Sequence, residues 1–230
     1  MHERPRYPCL AAGATTLCLG ALAATYLLDR MPHTVESIAY HMPAYEVPNG
    51  RHVYFAAWKQ HCSLHGVPDF AGDFEADWLF VGEGPGAEED ERGEPFVGQA
   101  GKLLDAMLAA IDLKRGKKVY IGNAVKCRPP GNRTPEAEET AACFPYLQRQ
   151  IELIRPRLIV ALGKPAAETL LNAEVKIGAS RGRLFDYRGI PLIVTYHPAY
   201  LLRNLTDKAK AWEDLCLARR TMQGLPDVGR

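Results

Sequence analysis

The sequence predicts an α/β protein, with a central four-stranded parallel sheet covered on both faces by helices. Three observations carry this. From residue 77 onward, short apolar runs of strand length alternate with stretches of helical periodicity. The strand runs are apolar throughout rather than alternating, as in strands buried on both faces. Three of them end in loops rich in chemistry, and in such folds functional loops leave the carboxyl ends of strands.

The elements follow in order. Residues 77–81 (DWLFV) form a short apolar run that ends in glycines, a buried strand followed by a tight loop. Leu103, Leu104, Met107, Leu108 and Ile111 recur at helical spacing, so residues 98–113 form a helix with one buried face. Residues 118–122 (KVYIG) are the second strand and lead into a loop over 123–133. Thr134 reads as an N-cap, with Pro135 in the first turn and Glu136, Glu138 and Glu139 near the positive helix end. That helix runs to about Ile154. Residues 157–162 (RLIVAL) are the third strand and 164–171 a short helix. The fourth strand, 192–195, delivers a loop that holds His197. A last amphipathic helix spans residues 208–222.

The chain has 230 residues, enough for one ordinary domain plus an appendage, and its 47% hydrophobic and 24% charged residues are those of a globular protein. The net charge of +1 gives no global basic field. That excludes a protein that coats nucleic acid, but not an enzyme that grips a few nucleotides through a local patch. The cysteines, Cys9, Cys18, Cys62, Cys127, Cys143 and Cys216, are dispersed, which argues against a secreted disulfide framework. They read as reduced buried thiols or as ligands of a metal or cluster.

Residues 1–55 form a poorly specified N-terminal extension, and the working domain is expected over 56–225. Within the extension, residues 10–28 run apolar without a charge, behind Arg4 and Arg6. The length suits a transmembrane span or a signal peptide. Gly13, Thr15, Thr16, Gly20 and Thr25 dilute its hydrophobicity. A helix packed on the domain, or an extension outside the working fold, is the better reading. The expected location is cytoplasmic, with membrane association through 10–28 as the alternative.

The loops carry the chemistry. Gly82-Glu83-Gly84-Pro85-Gly86-Ala87 fits a dinucleotide fingerprint by its letters. However, Glu88, Glu89, Asp90 and Glu91 follow at once and would repel a pyrophosphate, and Pro85 removes a backbone donor. What the glycines permit in either case is close approach of a flat ligand to backbone. Phe96 lies beside this mouth, either as core or as a stacking platform for a base. Asn123 closes the second strand. Its amide either satisfies loop backbone or offers a donor and an acceptor to a base edge. His197 precedes Pro198, so its backbone is extended. It is either a satisfied histidine or a donor aimed at developing negative charge, beside an apolar wedge and an arginine.

Four stretches together resemble the type 4 uracil-DNA glycosylases, the iron–sulfur branch of that superfamily: residues 82–108 (GEGPGAEEDERGEPFVGQAGKLLDAML), 120–135 (YIGNAVKCRPPGNRTP), 157–168 (RLIVALGKPAAE) and 196–204 (YHPAYLLRN). The likeness covers roughly residues 60–220 in the family's order and spacing. It implies a three-layer α/β/α sandwich and hydrolysis of the N-glycosidic bond of deoxyuridine in DNA. By resemblance, His197, Glu83 and Glu89 are the catalytic residues, with His197 as the donor to uracil O2. Gly84, Phe96 and Asn123 bind uracil, and Tyr200, Leu201, Leu202 and Arg203 form the DNA-inserting loop. Where related glycosylases carry an aspartate base, this chain has Gly84, which leaves Glu83 and Glu89 as the available carboxylates.

The family also holds a [4Fe–4S] cluster on four cysteines. Cys62, Cys127 and Cys143 match three of them, and the expected fourth position is Lys59. Three outcomes are open. The fourth ligand comes from His61, His65, Cys9 or Cys18; the cluster is labile; or the chain has no cluster. The expected partner is uracil-containing DNA, single- or double-stranded, acted on by a monomer with no obligate protein partner. One rival is a nucleotide-dependent oxidoreductase. It needs an acidic ribose-binding residue about twenty residues past the glycine loop, where this sequence lies inside the helix over 103–111. The other is a catalytically impaired DNA-binding protein that retains the glycosylase fold.

Overall fold

The computed structural model describes residues 45–47, 51–53, 70–73 and 75–226. The chain divides into two compact units, residues 1–64 and 65–230. In the first, strands β1 (Tyr45–Val47) and β2 (Arg51–Val53) pair antiparallel, with Tyr45 opposite Val53. The sequence pattern points to no element there. The apolar segment 10–28, Lys59, His61, His65 and Cys9, Cys18 and Cys62 lie outside the described residues.

The second unit is built on one sheet. Its strands are β3 (Phe70–Gly72), β4 (Trp78–Gly82), β5 (Val119–Asn123), β6 (Leu158–Leu162), β7 (Leu184–Tyr187) and β8 (Ile190–Thr195), in spatial order β3-β5-β4-β6-β8-β7. The four inner strands are mutually parallel and correspond to the four expected from the sequence. Two antiparallel edge strands are added to them, β3 on β5 and β7 on β8. Neither edge carries the apolar signal. β3 has three residues and ends in glycine, and β7 is mostly exposed, with Leu184 at 55%. A two-residue turn at Arg188 (φ 52) and Gly189 (φ 86) joins β7 to β8, a left-handed pair that matches the twist of a hairpin.

Every residue of β4, β5 and β6 is buried, which is why these strands read as unbroken apolar runs. Alternate side chains serve opposite faces. Trp78 and Phe80 of β4, with Leu158, Val160 and Leu162 of β6, join one core cluster with Leu104, Met107, Leu108 and Leu215. Leu79, Val81, Ile159 and Ala161 join the other, with Leu147, Ile151, Ile154 and Leu170. The first cluster takes its helical members from α2 (Gln99–Ala109), from Leu201 of the short helix Pro198–Arg203 and from the last helix, Lys208–Gly224. The second takes them from α3 (Ala137–Ile154) and α4 (Lys164–Leu171). Three layers result, and each fully buried aliphatic or aromatic side chain contributes about 1.5–3 kcal/mol.

The remaining helices are short: α1 (Ala87–Arg92), α5 (Ile177–Ser180) and α6 (Pro198–Arg203), before the final α7 (Lys208–Gly224). α3 starts later than the Thr134 cap predicts. Its N-cap is Glu136, which forms a reciprocal capping box with Glu139. Arg133 pairs with Glu139 at 2.8 Å and so ties the preceding loop to the same carboxylate. Among the described residues no helix is long and apolar enough to cross a membrane.

Candidate active site

The parallel strands β4, β5, β6 and β8 present their carboxyl ends at one end of the sheet, and the loops that leave them build the site. The β4 and β5 loops stay paired beyond the strands. The Ala124 N–H donates to the Gly82 carbonyl at 2.9 Å, and the Val125 N–H donates to the Glu83 carbonyl at 3.0 Å. A Cβ on Gly84 would lie 2.6 Å from Val125 Cγ2, and Val125 is buried. A side chain at Gly84 therefore has to displace a stiff, packed neighbour.

At Gly82 the approach is closer still. A Cβ there would stand 2.5 Å from Phe96 Cζ and 2.6 Å from Asn123 Oδ1. The bare glycine lets the aromatic ring and the amide come down on the same backbone. Asn123 is 1% exposed, and its Oδ1 has no hydrogen-bond partner among the described residues. An open buried acceptor costs about 1–3 kcal/mol. A ligand that brings an N–H recovers that cost. The Asn123 main chain is fixed by Lys126, which is wholly buried and donates from Nζ to the Asn123 carbonyl at 2.9 Å and to Gln150 Oε1 at 2.6 Å.

Glu89 folds back on its own loop. Its carboxylate accepts from the N–H groups of Gly86 (3.2 Å), Val97 (3.0 Å) and Gly98 (3.1 Å). Both oxygens are engaged in shaping the mouth that presents Phe96. The same bonds occupy donors that a pyrophosphate would need, which counts against the dinucleotide reading. Glu83 differs. No hydrogen bond to its carboxylate is formed among the described residues, and partial burial pushes its pKa above the usual carboxylate range.

His197 is the N-cap of α6. Its Nδ1 accepts the Ala199 N–H at 3.1 Å, which fixes the tautomer with the proton on Nε2. Burial, helped by the charge of Arg203 and opposed by Glu89, lowers its pKa from 6.5 to about 4. At neutral pH it is an uncharged N–H donor. Its ring centroid lies 5.5 Å from that of Phe96, at an interplanar angle of 31°. Gly163 (φ 89) backs the loop, since a Cβ there would lie 2.9 Å from His197 Cβ.

The strand that delivers His197 is anchored in turn. Thr195, fully buried, donates from Oγ1 to Asp214 Oδ2 at 2.8 Å. Asp214, 1% exposed on α7, also accepts from Arg181 Nε at 3.2 Å and from the Gly182 N–H at 3.0 Å. Burial raises its pKa against the lowering effects of these donors and of the Arg181 charge.

The residues after His197 form α6 rather than an irregular loop. Tyr200, Leu201, Leu202 and Arg203 do not project together, because they lie on a helix. Leu201 is 1% exposed and belongs to the core. Tyr200 stacks on Tyr196 at 5.0 Å and donates its hydroxyl to Asp207 at 2.7 Å. Leu202, at 40% exposure, and Arg203 face solvent. Helical spacing within 198–203 is the physical reason: successive residues point about 100° apart.

Cys127 is exposed and Cys143 half-buried. Cys62 lies outside the described residues, and among those described no group of three or more His, Cys, Asp or Glu forms a metal site. Sequence reasoning missed Lys126, Gln150, Thr195 and Asp214. Their signal is a polar residue inside an apolar run or on the buried stripe of a helix, which is visible once those periods are assigned.

An open acceptor, a neutral donor and an aromatic ring thus meet at one end of the sheet. The set suits a flat heterocycle with polar edges on which negative charge develops. Residues 68–216 match the family described as the uracil DNA glycosylase superfamily. A type-4 uracil-DNA glycosylase of Pyrobaculum aerophilum is 43% identical over 170 residues, covering 68% of this chain and 85% of that protein. One of Thermotoga maritima is 48% identical over 155 residues, covering 65% and 80%. One of Archaeoglobus fulgidus is 46% identical over 154 residues, covering 61% and 76%. With its three-layer fold and its converging loops, this chain belongs to the uracil DNA glycosylase superfamily and, within it, to the type-4 uracil-DNA glycosylases.

Proposed function

We propose that this protein excises uracil from DNA by hydrolysing the N-glycosidic bond and leaves an abasic site. The observation that carries the reading is the open, buried Oδ1 of Asn123, packed with the Phe96 ring against Gly82. Uracil presents an N3–H that this oxygen accepts, whereas cytosine presents a lone pair at N3 and is refused.

The reaction begins with extrusion of the nucleotide from the stack, at a cost of a few kcal/mol. The base stacks on Phe96, and Asn123 reads its edge. As the glycosidic bond breaks, its electron pair stays on the uracil. His197 Nε2–H donates to O2, where negative charge gathers, and a neutral donor does so without giving up its proton. Water then adds to C1′ of the cation-like sugar, and its proton leaves to solvent. Glu83, the carboxylate left unengaged, orients that water. Glu89 acts as a positioning residue through the amides it holds. Leu202 enters the base stack and Arg203 meets phosphate, with Tyr200 and Leu201 supporting them from within the fold.

The type-4 relationship brings the [4Fe–4S] cluster into this proposal. By that relationship Cys127 and Cys143 would be two of the four soft ligands such a cluster needs; Cys62 matches a third by sequence alone, and Lys59 stands at the expected fourth position. A cluster held there would serve a structural role, and no step above runs through it. The test is incubation with an oligonucleotide holding a single uracil, followed by alkali. Cleavage at uracil, and none at cytosine or thymine in the same context, is expected. An intact uracil strand overturns the reading.

A further inference from the structure

We infer that Arg115 is a positioning residue of the excision reaction, one that holds the Phe96 ring at the base by gripping the main chain on either side of it. The inference rests on the proposed role of Phe96 as the stacking residue.

Phe96 has φ 56. The left-handed region is a genuine outlier for a bulky residue. It costs on the order of 1–3 kcal/mol and persists only where the surroundings impose it. Those surroundings are explicit. Arg115 spreads its guanidinium over two successive carbonyls, Nη1 to Pro95 at 2.8 Å and Nη2 to Phe96 at 2.9 Å. The fork is itself fixed by Asp105 on α2, which accepts from Nε at 3.1 Å and lies 3.0 Å from Nη2. The N–H groups that follow are held by the opposite charge, because Glu89 takes those of Val97 and Gly98, the first of them on the same peptide as the Phe96 carbonyl.

A cation therefore holds the carbonyls of residues 95 and 96, and an anion holds the amides of residues 97 and 98. Gly101 of α2 completes the seat. A Cβ there would lie 1.7 Å from the Phe96 carbonyl oxygen, so only glycine admits this approach. Asp105 is half-exposed, so the ion pair by itself contributes little to stability. The value of Arg115 is geometric. A planar fork can satisfy two carbonyls in fixed directions, and a lysine ammonium cannot.

The test is single-turnover excision of uracil from a single-stranded oligonucleotide by the full chain. R115M is made alone and in an F96L background, with affinity for abasic-site DNA measured alongside. R115M should slow excision about ten- to a hundredfold, the scale of a misplaced binding group. In F96L, where no ring remains to place, R115M should change the rate by less than about threefold, and abasic-DNA affinity should stay within about twofold. If R115M fails to fold cooperatively, R115K carries the same comparison, with a smaller fall in the same pattern. An unchanged R115M or R115K rate overturns the inference. So does an equal fall in both backgrounds, which would mark a general structural role, and so does a parental rate for F96L. An inactive parent protein overturns the uracil reading together with this one, whereas an active parent with an indifferent Arg115 overturns only this one.

Discussion

The imidazole of His197 and the ring of Phe96 lie 5.5 Å apart, centroid to centroid, although a hundred residues of chain separate them. Each reaches that position by a different constraint. Phe96 is bent into the left-handed region beside α2, and His197 caps α6 through its own Nδ1. The pair brings an aromatic ring and a hydrogen-bond donor to one place, from the connections that follow β4 and β8.

The tautomer of His197 makes the first prediction. Protonation of Nδ1 would set two donors face to face at Ala199, and burial opposes the charge as well. The folded pKa, about 4, lies below the ordinary 6.5. The native state thus favours the neutral ring. This stabilising contribution is present above about pH 6.5 and is lost as pH falls toward 4. NMR titration of the imidazole should give a midpoint near 4, and a midpoint near 6.5 would contradict the buried, accepting Nδ1. Replacing His197 with alanine should lower the excision rate about a hundred- to a thousandfold. The lost cap should lower stability by about 1 kcal/mol.

Gly82→Ala places a methyl group where Phe96 and Asn123 already touch the backbone. Overpacking of this kind costs about 1–3 kcal/mol, and here it falls on the two groups proposed to hold the base. Excision should drop at least about tenfold, with the melting transition still cooperative. A fully active G82A would mean that the ring and the amide do not share that seat during the reaction.

Leu201, buried, and Leu202, exposed, should separate stability from the proposed DNA contact. Leu201→Ala empties a core position and should cost about 2–5 kcal/mol in chemical denaturation. Leu202→Ala should leave stability within about 0.5 kcal/mol and slow excision from duplex DNA more than from single strands, where no stack has to be opened. Reversed effects would show that α6 presents a different face to DNA.

Much of this architecture was legible in the sequence. The four parallel strands were visible because burial on both faces makes them unbroken apolar runs, and the three loops at their ends followed from chain direction. The edge strands were not visible. β3 is too short, and β7 alternates with charged neighbours around Leu184 and Asp186. The divergence of residues 200–203 is not visible in the sequence, because adjacency in sequence is not a shared surface: a helical turn sends Leu201 inward and Leu202 outward. The residues that position the site were hidden for a related reason. Arg115, Lys126 and Asp214 act on main-chain groups or on buried partners distant in sequence, and no local period announces such contacts.

Thr195 and Asp214 anchor the strand that carries His197. Thr195→Val removes one donor from a buried carboxylate and should cost about 1–3 kcal/mol. Asp214→Ala leaves the Thr195 hydroxyl and the Gly182 N–H without their acceptor and takes one of two carboxylates from Arg181, which keeps Glu213; it should cost more than Thr195→Val, about 3–5 kcal/mol. Denaturant unfolding of both variants checks the order, and an Asp214 variant as stable as the parent would remove the anchor from the account.

The central claim is tested most directly by measuring free uracil released from a uracil-containing oligonucleotide, under single turnover, by the parent protein and by Asn123→Leu. The parent should release one uracil per strand, and the variant should do so about ten- to a hundredfold more slowly while still binding DNA, as loss of one buried acceptor requires. No uracil from the parent, or a parental rate from Asn123→Leu, would contradict the account.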